Sequence, residues 1–421
     1  MVWCLAGLDF GISTPVLRLA FAGVRPAGLR MIFGEQSDRI FRDTVRPIDE
    51  RPLRSHQPMI TAPADVSAVA TPAMPFDADD SYEHRLKPLT IGNVEIGFPI
   101  VQAALSGYSD LPMRVIARSF GASYTICEVM LDEFLLNLGN RRRTKHFLDI
   151  HPDEPPVGGQ LMGAEPEQFS AGAAKLSDAG YDIIDVNFGC PVKKVLGRCR
   201  GGFHLSQPNV AIEILRRTRD AVPSDKPVTV KMRRGIDDSD QSRDQFFEIL
   251  DGALDAGLDA ATVHGRTVVQ RYVGPSRWEF LSDVKRHVGD AMKILGSGDL
   301  FTAPDALAMI EQTGIDGVTI ARGAIGNPWI FRDARALAAG RTAPLPPTLE
   351  EQAAVMRRHY ELMTRTYGDD RAGKLMRKFA IKYSCHHPEQ ETVRSRFVKM
   401  RDAHDLEETL KAFYSRAGSF K

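Results

Sequence analysis

Residues 293–339, KILGSGDLFTAPDALAMIEQTGIDGVTIARGAIGNPWIFRDARALAA, contain the pattern that decides the fold. Short apolar runs at 293–298 and 317–321 each lead into a glycine-rich turn, and amphipathic segments at 303–313 and 328–339 follow the turns. Short buried strands that alternate with helix-length amphipathic segments are typical of parallel βα units. The stretch therefore predicts two consecutive strand–turn–helix units.

The same pattern repeats upstream, where six more β-branched apolar runs alternate with amphipathic segments such as 166–179, 210–221, 245–256 and 278–288. Eight strand–helix units in roughly 240 residues have the size and rhythm of a (β/α)8 barrel. We therefore predict the α/β class and a TIM barrel. The eight predicted strands are 99–105, 123–130, 157–162, 183–189, 228–233, 260–265, 293–298 and 317–321.

Different patterns flank the predicted barrel. The run LTIGNVEIGF at 89–98 predicts a small hairpin that closes the barrel floor. After the prolines at 344, 346 and 347 the periodicity is only helical, which predicts a small C-terminal helical bundle. Residues 58–80 have the proline-rich composition of a linker, so a disordered extension is expected before the barrel. The predicted organisation is an extension at 1–83, a catalytic barrel at 84–340 and a helical domain at 345–421, with bundle helices at 349–367, 372–384, 389–403 and 405–417.

The overall composition excludes several classes of protein. The chain has 421 residues, 43% of them hydrophobic, with 54 basic and 54 acidic residues, which rules out collagen-like, coiled-coil and wholly disordered chains. Its five cysteines form no CxxC pair, so we predict neither a disulfide framework nor a metal site and expect a cytoplasmic location. No apolar run reaches the roughly 18 residues of a membrane helix, so no membrane partner is expected. A monomer is expected, although no sequence feature fixes the oligomeric state.

Active sites of TIM-barrel enzymes lie at the carboxyl ends of the strands, so residues that end each predicted strand are candidate site residues. The glycine-rich turns after strands seven and eight predict a phosphate site, because backbone N–H groups there and at the following helix starts bind phosphate. The alternative is that these glycines only form tight turns. The candidates are Ala104, Leu105, Ser106, Gln160, Asn187, Cys190, Lys231, Arg233, His264, Arg266, Ser297, Gly298, Asp299, Ala321 and Arg322.

Lys231 lies within an apolar strand, VTVKM, where an inward lysine needs an anionic partner. Beside a flavin it would stabilise the reduced ring, whereas in an aldolase it would be a Schiff-base nucleophile. A structural salt bridge to a barrel carboxylate is the third possibility. His264 is placed similarly and would either donate to the same anion or be an ordinary core histidine.

Cys190 separates these hypotheses. Thiols have an ordinary pKa of about 8.5 and are mostly protonated at neutral pH, so a cysteine that faces a cofactor can donate a proton to a developing carbanion. The alternative is a buried cysteine that behaves as a small hydrophobic residue, which is the common role of a free cysteine. The position between Gly189 and Pro191 at a strand end favours acid catalysis. Cys127, within the second predicted strand, fits the structural role.

Four motifs, taken as a set, resemble the tRNA-dihydrouridine synthases. They are DVNFGCPVKKVLGRCRGGFHLSQ at 185–207, VKMRRG at 230–235, VHGRT at 263–267 and GIDGVTIARGAIGNPWIF at 314–331, and the resemblance covers about 90–421. It implies an FMN enzyme that reduces a tRNA uridine to 5,6-dihydrouridine, with NADPH (or NADH) as the reductant. In that family reduced FMN delivers hydride to C6 of the uracil, and the cysteine of the GCP motif, here Cys190, protonates C5.

The chain departs from the family pattern at three places. The segment 103–106 reads AALS instead of Ala-Pro-Met-Ala, 297–299 reads SGD instead of Asn-Gly-Asp, and 200–204 reads RGGFH instead of Ala-Gly-Ser-Ala-Leu. The first two changes keep backbone contacts to FMN possible. The third borders the substrate, so the resemblance does not imply which uridine is chosen. The resemblance implies flavin contacts for Ala104, Leu105, Ser106, Gln160, Lys231, His264, Ser297, Gly298, Asp299, Ala321 and Arg322.

The neutral total hides a basic stretch, which bears on a nucleic-acid partner. Residues 371–401 carry nine Lys and Arg against two Glu, a net charge of +7. A helix there places its basic side chains on one face beside an apolar face, which predicts contacts to the phosphates of tRNA; a solvated face without a ligand is the alternative. Because a stacked uridine must be extruded to react, further residues would hold the extruded nucleotide. The candidates are Arg371, Lys374, Lys378 and Lys382 for the phosphates, and Asn187, Lys193, Lys194, Arg233 and Arg266 for the extruded nucleotide.

Two other functions remain open from the sequence. One is an FMN barrel that acts on a free pyrimidine, as dihydroorotate dehydrogenases do, and the basic helical tail argues against it. The other is an RNA-binding barrel without activity, which the presence of Cys190 and Lys231 argues against.

Overall fold

Parallel strands pair in chain order around a closed barrel in the computed structural model, which describes residues 86–138 and 145–415. The ring closes where β4 pairs with β6, so the predicted TIM barrel is confirmed. The prediction for residues 1–83 lies outside the described residues. A two-stranded hairpin of β1 (Leu89–Ile91) and β2 (Val94–Gly97) precedes the barrel strands, which are β3 (Ile100–Gln102), β4 (Thr125–Ile126), β5 (Met130–Leu131), β6 (Val157–Met162), β7 (Ile183–Phe188), β8 (Val228–Arg233), β9 (Ala260–His264), β10 (Lys293–Ser297) and β11 (Gly317–Ile320).

The second predicted strand is interrupted, so that β4 and β5 together fill one position in the ring. Both pieces pair with β6, but Glu128 between them donates its backbone N–H to Ser109 O, in the loop after β3. That bond takes the chain out of the strand ladder for a few residues. As a result Val129 reaches the mouth of the barrel.

Helices surround the barrel and then continue without strands to the end of the described chain, which confirms the predicted helical bundle. The third predicted bundle helix, 389–403, ends at Val398, because Asp402 caps the next helix by accepting the N–H of Asp405 at 3.0 Å. The helices around the barrel are α1 (Leu111–Ser119), α2 (Asp132–Leu136), α3 (Pro166–Asp178), α4 (Lys193–Leu196), α5 (Pro208–Ala221), α6 (Asp240–Asp255), α7 (Trp278–Val288), α8 (Ala303–Thr313) and α9 (Trp329–Ala338). The bundle helices are α10 (Leu349–Tyr367), α11 (Asp369–Tyr383), α12 (Gln390–Val398) and α13 (Ala403–Phe413).

Side chains alternate between the barrel interior and the helical layer, as a period of two requires. In β8, Val228, Val230 and Met232 are buried in the large cluster beneath the helices. The residues between them, including Lys231, face the inside, where strand register places Lys231 level with Asn187 of β7. The inward positions of the other strands therefore meet in common layers.

Inside the barrel, the layer at the amino ends of the strands is apolar and the layer at their carboxyl ends is polar. The hairpin residues Leu89, Ile91 and Ile96 form one buried cluster with Val101, Ile183 and other inward residues from five strands, so the hairpin closes the floor as predicted. At its turn, Gly92 has a φ of +55°, and a Cβ there would come within 2.7 Å of Asp259 Oδ1. The polar side chains are thus left at the opposite, carboxyl end of the strands.

The helical bundle packs against that carboxyl end. Gly326, in the loop between β11 and α9, lies so close to α11 that a Cβ would be 2.6 Å from the carbonyl carbon of Lys382. The Trp329 ring lies edge-on to Tyr383, with centroids 6.1 Å apart, and both side chains are buried. Bundle and barrel rim therefore share a tight interface.

No helix in the described ranges is long and apolar enough to cross a lipid bilayer.

A candidate active site at the carboxyl end of the barrel

A cavity of about 330 Å³ opens where the barrel strands end. Every residue predicted to contact the cofactor lines it, from Ala104 after β3 to Arg322 after β11. Cys190, Asn187 and Arg233 line it as well. The fold therefore gathers these predicted residues around one space; whether each has its predicted role remains a prediction.

A chain of hydrogen bonds orders the side chains on one wall of the cavity. The Asp185 carboxylate accepts from Thr229 Oγ1 at 2.6 Å and from Gln160 Nε2 at 2.7 Å. Gln160 Oε1 in turn accepts from Asn187 Nδ2 at 2.7 Å, and Asn187 Oδ1 accepts from the backbone N–H of Gly189 at 2.9 Å. Each amide is held in one orientation because its carbonyl and its NH₂ have different partners. The chain ends one residue before Cys190, so it also fixes the start of the cysteine loop.

Burial raises the pKa of Asp185, while the bonds from Thr229 and Gln160 and the charge of Lys231 oppose that rise. Asp185 lies in the DVNFGCP motif but was not among the predicted site residues. Its inward position, two residues before Asn187 on the same strand, was the sequence feature that could have revealed it.

Lys231 is a half-buried cation that faces the inside of the barrel. Burial and the nearby charge of Arg233 lower the pKa of Lys231 to about 8, although Asp185 favours its charged form. Among the described residues it has no salt bridge, so the structural salt bridge that the sequence left open does not occur there. A lysine in this setting attracts an anion that enters the cavity.

His264 is held neutral beside these cations. Burial, followed by the charges of Lys231 and Arg233, lowers the pKa of His264 to about 2. The backbone N–H of Arg266 donates to His264 Nδ1 at 3.2 Å, which assigns the proton to Nε2. His264 lines the cavity and can therefore donate one hydrogen bond without carrying a charge.

The loop that carries Cys190 is packed against two glycines. A Cβ on Gly201, which has a φ of +59°, would lie 2.8 Å from Cys190 Cβ. Gly202 donates its N–H to Cys190 O at 3.1 Å and has as little room. The two glycines of the RGGFH segment thus support the cysteine from behind, and a side chain at either position would press on its surroundings.

The two glycine-rich turns meet at the cavity. A Cβ on Gly323 would press on Leu300 O, so only glycine lets the turn after β11 approach the turn after β10. Backbone N–H groups at the start of α8 already have acceptors. Thr302 and Asp305 form a reciprocal cap, and Asp305 also accepts from Phe301 N at 3.2 Å. Any phosphate would therefore meet the turns themselves rather than this helix start.

Gly323→Ala is expected to lower the thermal midpoint by about 3–10 °C and to weaken cofactor binding, because the added Cβ forces the turns apart. Thermal denaturation and a cofactor titration measure the two effects. Gly314→Ala is the control for a loss of stability without a steric clash, since Gly314 has a positive φ, +71°, but open space around it. Equal cofactor affinity in both variants would show that the contact between the turns does not shape the cavity.

Two predicted tRNA contacts, Arg233 and Arg266, prove to be buried anchors. Arg233 donates to the carbonyls of Gly189, Thr267 and Arg271 at 2.8–2.9 Å. Arg266 pairs with Asp299 at 2.6 Å and also donates to Gly274 O. Both guanidinium groups hold the loop after β9 in place, and Arg233 also faces the cavity.

That loop supplies Tyr272, a cavity residue that the sequence reasoning missed. Its ring is 57% exposed and lies 4.5 Å from the guanidinium carbon of Arg322, which also stacks on Phe301 at 5.1 Å. Thr319 was missed too, although it follows the inward alternation of β11. The sequence signal that could have revealed Tyr272 is an aromatic residue two positions before a glycine in the loop after a predicted strand, as in RYVG.

The remaining predicted tRNA contacts lie outside the cavity. Lys193 and Lys194 are exposed at the start of α4, just beyond Val192 at the cavity edge. Arg371, Lys374 and Lys382 are exposed along α11. Lys378, from the same row, is half-buried and contacts the barrel.

Comparison with known proteins places these features in a family. A family model described as "Dihydrouridine synthase (Dus)" matches residues 101–417. A probable tRNA-dihydrouridine synthase of Mycobacterium tuberculosis is 34% identical over 328 residues, which cover 76% of this chain and 83% of that protein. A probable tRNA-dihydrouridine synthase of Rickettsia prowazekii is 32% identical over 77% of this chain and 97% of its own length. The tRNA-dihydrouridine synthase B of Pseudomonas putida is 30% identical over 78% and 95%.

Proposed function

The chain belongs to the dihydrouridine synthases, a family of flavin-dependent oxidoreductases, and from this we propose that it reduces a tRNA uridine to 5,6-dihydrouridine with FMN and NADPH or NADH. The observation that carries the proposal is the cavity in which Cys190, Lys231 and His264 lie together at the carboxyl end of the barrel. With a hydride supplied by reduced flavin, an acid, a cation and a neutral hydrogen-bond donor are protein groups that can support the addition of hydride and proton to a uracil ring.

The residues present fit a phosphorylated flavin. Thr319 Oγ1 lines the cavity and is buried, with no hydrogen-bond partner in the described part of the chain. Lys231 has no ion-pair partner among the described residues, and a Cβ on Gly298, which has a φ of +113°, would lie 2.5 Å from Ser276 Oγ, so only glycine fits in this turn. We infer that Lys231, His264 and Gln160 would hold the ring and that the turns at 297–299 and 321–323 would hold the phosphate. When bound and reduced by NADPH or NADH, FMN would supply the hydride for the C5–C6 double bond.

Cys190 is the proposed acid for the other carbon of that bond. Its thiol lies at the cavity edge, on a loop fixed by Asn187 on one side and by Gly201 and Gly202 on the other. The thiol would give its proton to C5 as negative charge develops there, which completes the addition of two hydrogens. Asn187 is pre-oriented by its bond to Gln160, so it can meet the polar edge of the uracil without reorganising.

The tRNA is proposed to approach from the bundle side. Arg371, Lys374 and Lys382 expose their charges on α11, the helix that packs against the rim, and Lys193 and Lys194 expose theirs on the cysteine side. The affinity for tRNA is expected to fall as the salt concentration rises, because basic side chains that neutralise phosphates release counterions. The target base must leave its stack to reach the cavity.

The proposal is tested with the purified full chain. We expect bound flavin with its visible absorption, and dihydrouridine in unmodified tRNA after incubation with NADPH. Free uridine and orotate are the comparison substrates, and turnover of either without any change to tRNA would favour the free-pyrimidine alternative. A colourless protein that gains no FMN on addition would refute the flavin assignment.

A further inference from the structure

The loop after β3, residues 104–110, links the cavity to the helical bundle. Ala104, Leu105 and Ser106 line the cavity, and the chain then turns through Gly107, which has a φ of +77°. The turn is closed locally, because Ser109 Oγ accepts the N–H of Leu105 at 2.8 Å. Asp110 ends the loop by capping α1, where it accepts the N–H of Met113 at 3.1 Å.

Three side chains of the bundle contact this loop from outside. Lys378 Nζ donates to Gly107 O, and its ammonium lies 5.2 Å from the centroid of the Tyr108 ring. Tyr367 Oη donates to Asp110 Oδ2 at 3.0 Å. The rings of Tyr108 and Phe379 meet edge to face with centroids 5.5 Å apart. The bundle therefore contacts the loop at three positions, Gly107, Tyr108 and Asp110.

The four basic residues along α11, which are Arg371, Lys374, Lys378 and Lys382, differ in their surroundings. Arg371, Lys374 and Lys382 are exposed, whereas Lys378 is half-buried and already has a carbonyl and two aromatic rings as partners. Its ammonium meets the barrel loop at Gly107 O and at the Tyr108 ring, and it also lies over Phe379 of its own helix. A charge-assisted hydrogen bond to a backbone carbonyl that is one residue from the cavity constrains that backbone directly.

We propose that Lys378 and Tyr367 are positioning residues for the flavin-binding loop, so that the helical bundle completes the cofactor site in addition to its proposed contacts with tRNA. The proposal rests on the proposed function, because it takes the cavity to be the flavin site. It replaces the predicted role of Lys378 as a phosphate ligand. The loop backbone at Ala104 to Ser106 is held for the cofactor by Lys378 through Gly107 and by Tyr367 through Asp110.

The test compares Lys378→Met with Lys374→Met in the full chain. FMN affinity is measured without tRNA by the quenching of flavin fluorescence, and tRNA affinity is measured separately. Lys378→Met is expected to weaken FMN binding about fivefold or more, because a charge-assisted hydrogen bond and a cation–π contact are lost. Lys374→Met is expected to weaken tRNA binding and to leave FMN affinity within about twofold of the wild type.

Two milder variants keep the test decisive if Lys378→Met does not fold. Lys378→Arg retains a donor and a ring-stacking cation, so it should restore FMN affinity, whereas Tyr367→Phe removes one hydroxyl and should lower it. If Lys378→Met and Tyr367→Phe bind FMN as the wild type does, and Lys378→Met loses only tRNA affinity, the positioning role is wrong and the proposed function stands. If the wild type itself binds no FMN, the proposed function fails first.

Discussion

Cys190→Ala is expected to lower the rate of dihydrouridine formation by about 10²–10⁴-fold while FMN binding and its visible spectrum stay unchanged, because the variant loses only the proposed acid. Alanine keeps the Cβ that packs against Gly201, so the loop retains its shape. The hydrogen bond from Gly202 N to the carbonyl of residue 190 is also retained. Single-turnover reaction of the reduced enzyme with unmodified tRNA measures the effect on chemistry alone.

Cys199→Ala is the matched control for this variant. Cys199 lies on the same loop and is exposed, but it does not line the cavity. It is therefore expected to react with tRNA at close to the wild-type rate. Wild-type turnover by Cys190→Ala would show that another group supplies the proton, and the loss of flavin from that variant would show that Cys190 has a role in cofactor binding instead.

Local periodicity was enough to predict the barrel and most of its cavity. Alternation in strands such as VTVKM and the DVNFG segment determines which side chains face inward, and parallel strands bring their carboxyl ends together. Gln160, Lys231 and His264 therefore meet because of a rule that acts within each strand. Where this rule was broken, between β4 and β5, the cause was a long-range bond from Glu128 to the loop after β3.

The roles of the charged side chains could not be predicted in the same way. Arg233 and Arg266 are motif residues with charge, and their use as buried anchors depends on carbonyls of a loop whose path no local pattern describes. Lys378 lies on the same face of α11 as its exposed basic neighbours, but it donates a hydrogen bond to the carbonyl of Gly107, which is far away in the sequence. Charge and spacing indicate which residues can bind an anion, and only tertiary contacts show which of them remain free to do so.

Lys231→Met is expected to lower turnover by about 100-fold or more, since it removes the cation that opposes negative charge developing in the cavity. The pKa of Lys231 is lowered to about 8 by burial and by Arg233, so the lysine is charged below that pH and neutral above it. FMN affinity of the flavin-free protein should therefore fall as the pH rises through about 8, because the charged lysine would make a charge-assisted hydrogen bond to the ring and would attract the negatively charged FMN as a whole.

Titrations of the flavin-free protein with FMN between pH 7 and pH 10 measure this dependence. Lys231→Met should bind FMN more weakly at pH 7 and should lack the decline above pH 8, whereas Lys231→Arg keeps its charge throughout and should bind without that decline. If Lys231→Met shows the same decline as the wild type, another group titrates and Lys231 is not the partner of the anion. If Lys231→Met keeps full turnover as well, the barrel lysine has only a structural role.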